Sequence, residues 1–350
     1  MGERTVTTVY LIRHAEAEGN LYRIAHGQYD GLITDRGYEQ LRVLKKRFDN
    51  VHIDAVYSSD LFRARTTARA IYEPKGLPLQ LEPAFREIHM GCWEGHPWQE
   101  LNTACEEQMF CFNRRLDKFH VEGSETAQQV LDRYIPALKR VAAENDGRTV
   151  AIFSHGAALR MVLGTLNGLP LSEVGETPHG DNTAVSLLEI DGDHIRVVYQ
   201  NDNSHQVEAG LSTFAKQTWW RDKRMMSGGQ YYREMDDATA VRFGVPAEGK
   251  RIAVWFEARA VGALTLLPDK ATDAGWIGFY YLEPTMRGRN YGIPPLGQAV
   301  QFYRARGIDR LRLSCGDEQA RGFFAHYGFY PLEGSVMEKY IGYEPREIVW

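Results

Sequence analysis

The sequence predicts an α/β protein of two domains: a three-layer α/β/α N-terminal domain with a mainly parallel sheet, and an α+β C-terminal domain with a mixed sheet. Three observations support this prediction. The chain has 350 residues, more than one ordinary domain contains. Up to residue 204, apolar strand-like runs alternate with amphipathic helical patterns. Beyond that point, several apolar runs follow one another directly.

The N-terminal elements follow from periodicity and from start signals. Strands are expected at 6–12, 55–58, 149–153, 183–190 and 195–199, the last two as a hairpin across Asp191-Gly192-Asp193. Helices are expected at 34–48, 60–72, 126–145 and 157–167. The third helix begins with a capping box, because Gln129 follows Thr126 at the required spacing. Such alternation predicts helices on both faces of the sheet.

The C-terminal pattern differs. Apolar runs predict strands at 252–258, 260–267, 276–282 and 310–314, and helical patterns cover 296–306 and 317–327. We place the boundary near residues 207–215, which divides the chain into domains 1–207 and 208–350.

Composition narrows the classes of function. A net charge of -5 and a pI of about 6.1 argue against a general nucleic-acid or membrane-surface partner. No apolar stretch approaches the roughly 20 residues that span a bilayer, and the N-terminus shows no signal core. The four cysteines form no CxxC pair, so we expect reduced thiols, a cytoplasmic location and no metal site.

Two buried runs each end on a histidine. Residues 9–12 lead into Arg13-His14, and residues 150–154 lead into His155. Because the carboxyl ends of parallel strands meet at the ligand-binding edge of the sheet, one pocket is expected. A neutral histidine can attack phosphorus, and an adjacent arginine can bind the phosphoryl oxygens. The sequence therefore predicts phosphoryl transfer through a phosphohistidine.

Other residues complete this chemistry. Arg63 lies near the start of a helix that follows a strand, and Gly156 begins another, so both helix N-termini offer donors to an anion. A leaving alkoxide needs a proton, for which Glu87 is the best candidate. Its competitor Glu94 is expected to hold the loop.

Four segments, LIRHAEAEGN, SSDLFRARTTA, REIHMGCWEG and FSHGAALR, resemble in order the signatures of the histidine phosphatase superfamily, which includes the cofactor-dependent phosphoglycerate mutases. The resemblance spans about residues 6–205 and implies no metal. It implies that His14 is the phosphorylated nucleophile and that Glu87 is the proton donor and later the base. It further implies a phosphate clamp formed by Arg13, Arg63 and His155. It also implies substrate contacts from Asn20, His26 and Gly156.

Several alternatives accompany this resemblance. Arg65 is a competitor for the clamp arginine, but alignment on the neighbouring positions favours Arg63. The pair Arg114-Arg115 fits either a second anion site or, as we expect, a solvated helix face. Mutases of this family carry a longer insert after the Glu87 region, so the short segment here favours hydrolysis of a small phosphomonoester over a mutase reaction.

In the C-terminal half, a strand, a glycine-containing loop and a helix follow one another at 276–306. Together with the segment ARGFFAHYGF, this arrangement resembles motifs A and B of the GNAT superfamily of acyl-CoA-dependent N-acyltransferases. The resemblance implies acetyl-CoA or another acyl-CoA, with its pyrophosphate on the loop Arg287, Gly288, Arg289, Asn290, Tyr291 and Gly292.

The departures from this second family concern activity. Asn290 replaces a preferred glycine but tolerates positive φ, whereas Pro294 and Pro295 each remove an N–H donor. Phe324 occupies the usual catalytic tyrosine position and cannot protonate a thiolate. Glu283 is a candidate base or a solvated strand end. The sequence thus predicts an N-acetyltransferase, with an acyl-CoA-sensing or structural domain as the alternative.

Overall fold

The computed structural model describes residues 5–214, 230–268, 273–344 and 346–350. These residues form two sheets, one in each half of the chain. None of the helices in these ranges is long and apolar enough to cross a membrane.

The N-terminal strands lie close to their predicted positions. They are β1 (Thr7–Arg13), β2 (Ala55–Ser58), β3 (Leu79–Leu81), β4 (Thr149–Ser154), β5 (Val185–Asp191) and β6 (His194–Asp202). Their order in the sheet is β3-β2-β4-β1-β5-β6. The pairs among β1 to β4 are parallel, and the hairpin β5–β6 is antiparallel, as is its pairing with β1. The predicted mainly parallel sheet is confirmed.

Helices cover both faces of this sheet. They are α1 (Glu18–Tyr22), α2 (Asp35–Phe48), α3 (Phe62–Lys75), α4 (Trp98–Ala104), α5 (Glu106–Arg114), α6 (Ala127–Glu144), α7 (Gly156–Leu166) and α8 (Ser204–Glu208). On one face α2 and α3 pack through Leu41, Leu44 and Ile71, and on the other α6 and α7 pack through Leu138 and Val162. The predicted capping box of α6 is present.

The C-terminal half has more elements than its apolar pattern indicates. In chain order they are β7 (Gln230–Glu234), α9 (Asp237–Phe243), β8 (Lys250–Phe256), β9 (Arg259–Leu266), β10 (Gly275–Leu282), α10 (Ile293–Arg304), β11 (Arg310–Ser314), α11 (Glu318–His326), β12 (Tyr330–Pro331) and β13 (Val336–Tyr340). The sheet order is β12-β13-β11-β10-β9-β8-β7. Only β10 and β11 pair in parallel among these described strands, so the sheet is mixed, as predicted.

The two halves pack against each other through α1 and α10. Tyr22 and Ile24 belong to the apolar core that includes Leu296 of α10. A Cβ on Gly297 would lie 2.6 Å from Cβ of Tyr22, so glycine permits this close approach. The boundary at 207/208 remains a proposal, and residues 211–213 contact the N-terminal half.

Candidate active site

Two neighbouring strand ends bring two histidines together. In the parallel pair β1–β4, Arg13 lies opposite Ser154, so His14 and His155 follow at the same edge. Their ring centroids are 5.3 Å apart, and both side chains are buried. The two strand ends therefore meet at the carboxyl edge of the sheet, where the sequence predicts a shared site.

The hydrogen bonding of His14 identifies its free nitrogen. Nδ1 lies 2.7 Å from the carbonyl oxygen of Ala15. Because a carbonyl oxygen can only accept, Nδ1 carries the hydrogen and Nε2 keeps its lone pair. Burial, with the nearby charges of Arg63 and Arg13, holds the pKa of His14 well below its usual value. The ring is therefore neutral at physiological pH, as a nucleophile must be.

The guanidinium groups of Arg63 and Arg13 lie close enough to His14 to act on it electrostatically. Arg63 is 1% exposed, and its terminal nitrogens donate to the carbonyls of Gly27 (2.6 Å) and Tyr29 (3.1 Å). Arg13 donates from Nη1 to Gly180 O (2.5 Å). Within the described part of the chain, Nε of each arginine has no hydrogen-bond partner. Because buried donors are normally paired, these nitrogens indicate a site for an anion.

His155 has one engaged nitrogen and one free nitrogen. Its Nε2 lies 2.8 Å from Ser59 Oγ, whereas Nδ1 has no partner among the described residues. Burial and the charge of Arg63 hold its pKa well below the usual value. A neutral imidazole that presents one nitrogen to the pocket can donate to a phosphoryl oxygen.

His26 lies on residues 25–33, which we name the pocket loop. A Cβ on Gly19 would lie 2.5 Å from its ring, and one on Gly31 would lie 2.7 Å from it, so two glycines enclose the imidazole. The buried Nε2 has no partner among the residues described. Burial and the charge of Arg63 lower its pKa strongly. His26 therefore lies within the electrostatic reach of Arg63, and its contact with substrate stays a prediction.

Glu87 is held at the N-terminus of α7. Its oxygens accept the N–H groups of Ala157 (3.0 Å), Ala158 (2.7 Å) and Ile88 (3.0 Å). The carboxylate also contributes to the electrostatic environment of Arg13 and Arg63. Glu87 is thus adjacent to the pocket on the side where α7 begins.

Glu94, the competing carboxylate, has a different environment. Its Oε1 accepts the N–H groups of Gln28 (2.7 Å) and Met90 (2.9 Å). These two bonds join the pocket loop to the segment that follows Glu87. The expectation that Glu94 holds the loop is confirmed.

Asn20 is linked to His14 through Asn182, and Gly156 lies against Arg13. Asn20 Oδ1 accepts the Ala17 N–H (3.1 Å) and a donor from Asn182 (3.4 Å), while Asn182 donates to His14 O (3.1 Å). A Cβ on Gly156 would lie 3.1 Å from Arg13 Nε, so glycine lets the guanidinium lie against the start of α7.

The pair Arg114-Arg115 lies on the surface. Arg114 pairs with Glu176, with both side chains largely exposed, and Arg115 pairs with Asp117. These surface ion pairs favour the expected solvated helix face over a second anion site.

Sequence reasoning missed the polar segment before β5. Asp181 and Asn182 are buried, and Thr183 adopts φ of 58°. Asp181 accepts hydrogen bonds from Ser212 (2.6 Å) and from the Thr213 backbone (3.2 Å), and Asn182 supports His14. The available signal was a cluster of polar residues directly before a buried strand. Because β5 runs antiparallel to β1, the start of β5 lies at the sheet edge where His14 follows β1.

Arg133 was missed as well. It donates to the carbonyls of Ala84 (2.7 Å), Arg86 (2.9 Å) and Glu87 (2.9 Å) and pairs with Glu125. Arg133 therefore holds the backbone of residues 84–87, the segment that carries the Glu87 side chain. Nothing in its helical sequence context distinguishes it from a solvated arginine.

The buried histidines make folding depend on pH. In the unfolded chain they titrate near pH 6.5, whereas in the folded protein His14, His26 and His155 stay neutral to much lower pH. As pH falls below about 6.5 the unfolded state takes up more protons, so stability falls by up to about 1.4 kcal/mol per pH unit and histidine. We expect His155→Asn to flatten the decline of the melting temperature between pH 7.5 and 5.5.

The matched control for this prediction is His194→Asn, since His194 is exposed at the start of β6. It should melt with the wild-type pH dependence. Equal slopes for wild type and His155→Asn would show that His155 does not resist protonation in the folded state.

The loop between β10 and α10 suits an anion. Gly288 (φ 70°) and Asn290 (φ 62°) are left-handed, so asparagine takes the turn conformation normally given to glycine. Residues 287–290 are exposed, and no backbone hydrogen bond from the N–H groups of 288–292 occurs within the described ranges. Free N–H groups before a helix can bind a pyrophosphate, although Pro294 and Pro295 supply none. The residues present therefore fit the diphosphate of an acyl-CoA.

Neither Phe324 nor Glu283 supplies the acid or free base that acyl transfer near this loop would need. Phe324 is buried against Tyr280 (5.4 Å) and Phe329 (5.4 Å) and offers no proton. Glu283 is neither a free base nor a solvated strand end, because Arg242 and Arg259 each contact one of its oxygens at 2.5 Å. The loop is thus better equipped for binding than for transfer.

Two known protein families match this chain, one in each half. Residues 9–203 match the model of the histidine phosphatase superfamily (branch 1), which covers more than half of the chain. The chain belongs to the histidine phosphatase superfamily. Residues 214–329 match the acetyltransferase (GNAT) family, so one chain carries both domains.

Relatives of the histidine phosphatase domain have different names. The Probable phosphoglycerate mutase GpmB of Photorhabdus laumondii is 33% identical over 46% of this chain and 75% of its own length. The structure of Bacillus stearothermophilus YhfR is 29% identical, covering 57% of this chain and 98% of its own, with a TM-score of 0.55. A mycobacterial glucosyl-3-phosphoglycerate phosphatase, 21% identical, shares the fold over 57% of this chain and all of its own (100%), with a TM-score of 0.53.

Proposed function

We propose that the N-terminal domain hydrolyses a small phosphomonoester through a phosphohistidine at His14, without a metal ion. The hydrogen bond from His14 Nδ1 to Ala15 O supports this proposal most directly, because it leaves Nε2 free as a nucleophile. The cytoplasmic location expected from the sequence is part of the same proposal.

In the first step, the Nε2 lone pair of His14 attacks phosphorus while the P–O bond to the leaving group breaks. The Glu87 carboxylic acid gives its proton to the leaving alkoxide, which departs as an alcohol. Arg13, Arg63 and His155 contact the phosphoryl oxygens and stabilise the charge that spreads over them in the transition state.

In the second step, the Glu87 carboxylate removes a proton from water as its oxygen attacks phosphorus. The P–N bond breaks, inorganic phosphate leaves, and His14 returns to its neutral state. His14 and Glu87 therefore end the cycle in their starting forms. The low pKa of His14 keeps the imidazole from being lost to protonation before the next attack.

Two observations support phosphomonoester chemistry over other uses of the fold. The adjacent histidines and the unpartnered Nε atoms of Arg13 and Arg63 support an anion-binding site beside His14. The similar proteins carry names of a phosphoglycerate mutase and of a phosphatase. A mutase would return the phosphoryl group to an acceptor instead of releasing it to water.

The test is phosphate release from a panel of phosphomonoesters in EDTA. The proposal predicts inorganic phosphate in an amount equal to the alcohol product. Recovery of the phosphoryl group on a second hydroxyl would indicate a mutase. Loss of all activity in EDTA, restored by a divalent cation, would contradict the metal-free mechanism.

For the C-terminal domain we propose acyl-CoA binding at residues 287–292. The exposed N–H groups of the loop, with Arg287 and Arg289, would hold the diphosphate. The acyl thioester would supply the group for transfer to an amine. Because Phe324 has no hydroxyl, this chain must protonate the departing thiolate by other means, or bind the cofactor without turnover.

Calorimetric titration with acetyl-CoA tests this second proposal. Arg289→Glu should weaken binding roughly tenfold, about 1.4 kcal/mol, because it places a negative charge beside the diphosphate. Arg306→Glu, beyond the other end of α10, should bind as wild type does. Binding together with acetyl transfer to an amine panel would establish the acetyltransferase, binding alone the sensing role, and no binding at millimolar acetyl-CoA would contradict both.

A further inference from the structure

The pocket loop determines where Arg63 lies. Two carbonyls of this loop, at Gly27 and Tyr29, accept the terminal guanidinium N–H groups of Arg63. Asp30 accepts the Phe62 N–H (2.9 Å), one residue before Arg63, at the start of α3. A displacement of this loop would therefore move a clamp arginine and His26 together.

A buried ion pair ties the base of this loop to the C-terminal half. Arg304, at the end of α10, donates to both carboxylate oxygens of Glu18 (2.7 and 2.9 Å), and the side chains are only 7% and 6% exposed. The same carboxylate accepts the N–H of Leu32 through Oε2 (2.9 Å). Glu18 thus holds Arg304 and the pocket loop at once, in the bidentate geometry that fixes orientation best.

Tyr343 makes a second contact from the C-terminal half. Its hydroxyl donates to the carbonyl of Asp30 (2.9 Å), and the guanidinium of Arg304 lies 5.0 Å from its ring centroid. Arg304 and Tyr343 therefore support each other, one bound to Glu18 and the other to the backbone of residue 30. The C-terminal half thus contacts the pocket loop directly at residue 30 and reaches residue 32 through Glu18.

We infer that Arg304 is a positioning residue of the phosphatase site, acting through Glu18 on the pocket loop and so on Arg63 and His26. The inference rests on the proposed function of the N-terminal domain. Its consequence is that hydrolysis depends on the C-terminal domain whether or not that domain transfers an acyl group.

A double-mutant cycle on the full chain tests this role. Arg304→Gln alone leaves a buried carboxylate without its partner and should lower both the melting temperature and kcat/KM. Glu18→Gln/Arg304→Gln removes both charges and should melt closer to wild type, yet keep kcat/KM about tenfold lower. Because the two residues act as one unit, the loss in the double variant should not exceed the larger single loss.

The control is Arg306→Gln, two residues beyond α10, where the exposed Arg306 donates to Phe302 O (2.8 Å). It should leave kcat and KM unchanged. A double variant with wild-type kcat/KM would overturn the inference. So would a double variant whose loss of kcat/KM equals the combined losses of Arg304→Gln and Glu18→Gln. The double variant also answers the question if Arg304→Gln does not fold.

Hydrogen exchange separates this inference from the proposed function. In the double variant, the peptide that contains Leu32 should exchange faster than in wild type or Arg306→Gln. This readout needs no substrate, so it decides the inference even if the wild type releases no phosphate. Unchanged exchange in the pocket loop would overturn the inference, whereas a lack of phosphate release would overturn only the proposed hydrolysis.

Discussion

His14→Ala should abolish phosphate release, with kcat/KM reduced by about 10⁴-fold or more, the scale on which loss of a nucleophile acts. The reason is that Nε2 of His14 is the free nitrogen at the carboxyl edge of the sheet. His155 is not expected to replace it, because its Nε2 contacts Ser59 Oγ at 2.8 Å and its Nδ1, proposed to donate to a phosphoryl oxygen, then carries the hydrogen and has no lone pair. The measurement is inorganic phosphate released from the best substrate of the panel in EDTA.

His194→Ala is the matched control, since it makes the same change at an exposed histidine at the start of β6. It should retain wild-type activity. Melting curves for both variants would show that the loss at His14 is not a loss of fold. A His14→Ala variant that keeps more than about a hundredth of wild-type activity would remove His14 from the nucleophile's role.

Arg63→Gln should lower kcat/KM by roughly 10²- to 10³-fold, the usual effect of removing one preorganised donor from a transition state. The guanidinium is buried beside His14, and glutamine carries no charge to place against the phosphoryl oxygens. Inhibition by vanadate should weaken in parallel, because vanadate imitates the transferring phosphoryl group. Both quantities can be measured on one preparation.

Arg65→Gln is the control that the chain itself offers. Arg65 is exposed and lies over the ring of Phe62 at 5.1 Å, two residues from Arg63. It should cost less than twofold. If Arg65→Gln instead caused the larger loss, the clamp would have been assigned to the wrong arginine.

The sequence was sufficient for the parts of the site that lie at strand ends. His14 and His155 could be predicted because each follows an apolar run, and parallel pairing brings such ends together. Arg63 and Gly156 could be placed near helix starts that follow strands, although the choice of Arg63 over Arg65 needed the resemblance to the family signature. The positions of strand ends and helix starts can be read from short stretches of sequence, because periodicity and capping residues mark them.

Contacts between distant segments could not be predicted in this way. Glu18 and Arg304 are 286 residues apart, and each alone looks like a solvated charge on a helix. Asn182 supports His14 across 168 residues. The strand β12 has only two residues, one of them proline, so no periodicity marks it. These features depend on tertiary packing, for which a single sequence contains no local pattern.

In the proposed reaction the phosphoryl group passes through His14. A rapid-quench experiment at alkaline pH, followed by peptide mapping, measures this directly. We expect one phosphoryl group on the peptide that contains His14, stable in base and lost in mild acid, formed and consumed at rates consistent with turnover. Full release of phosphate in a single turnover with no phosphorylated peptide at any time would contradict the claim.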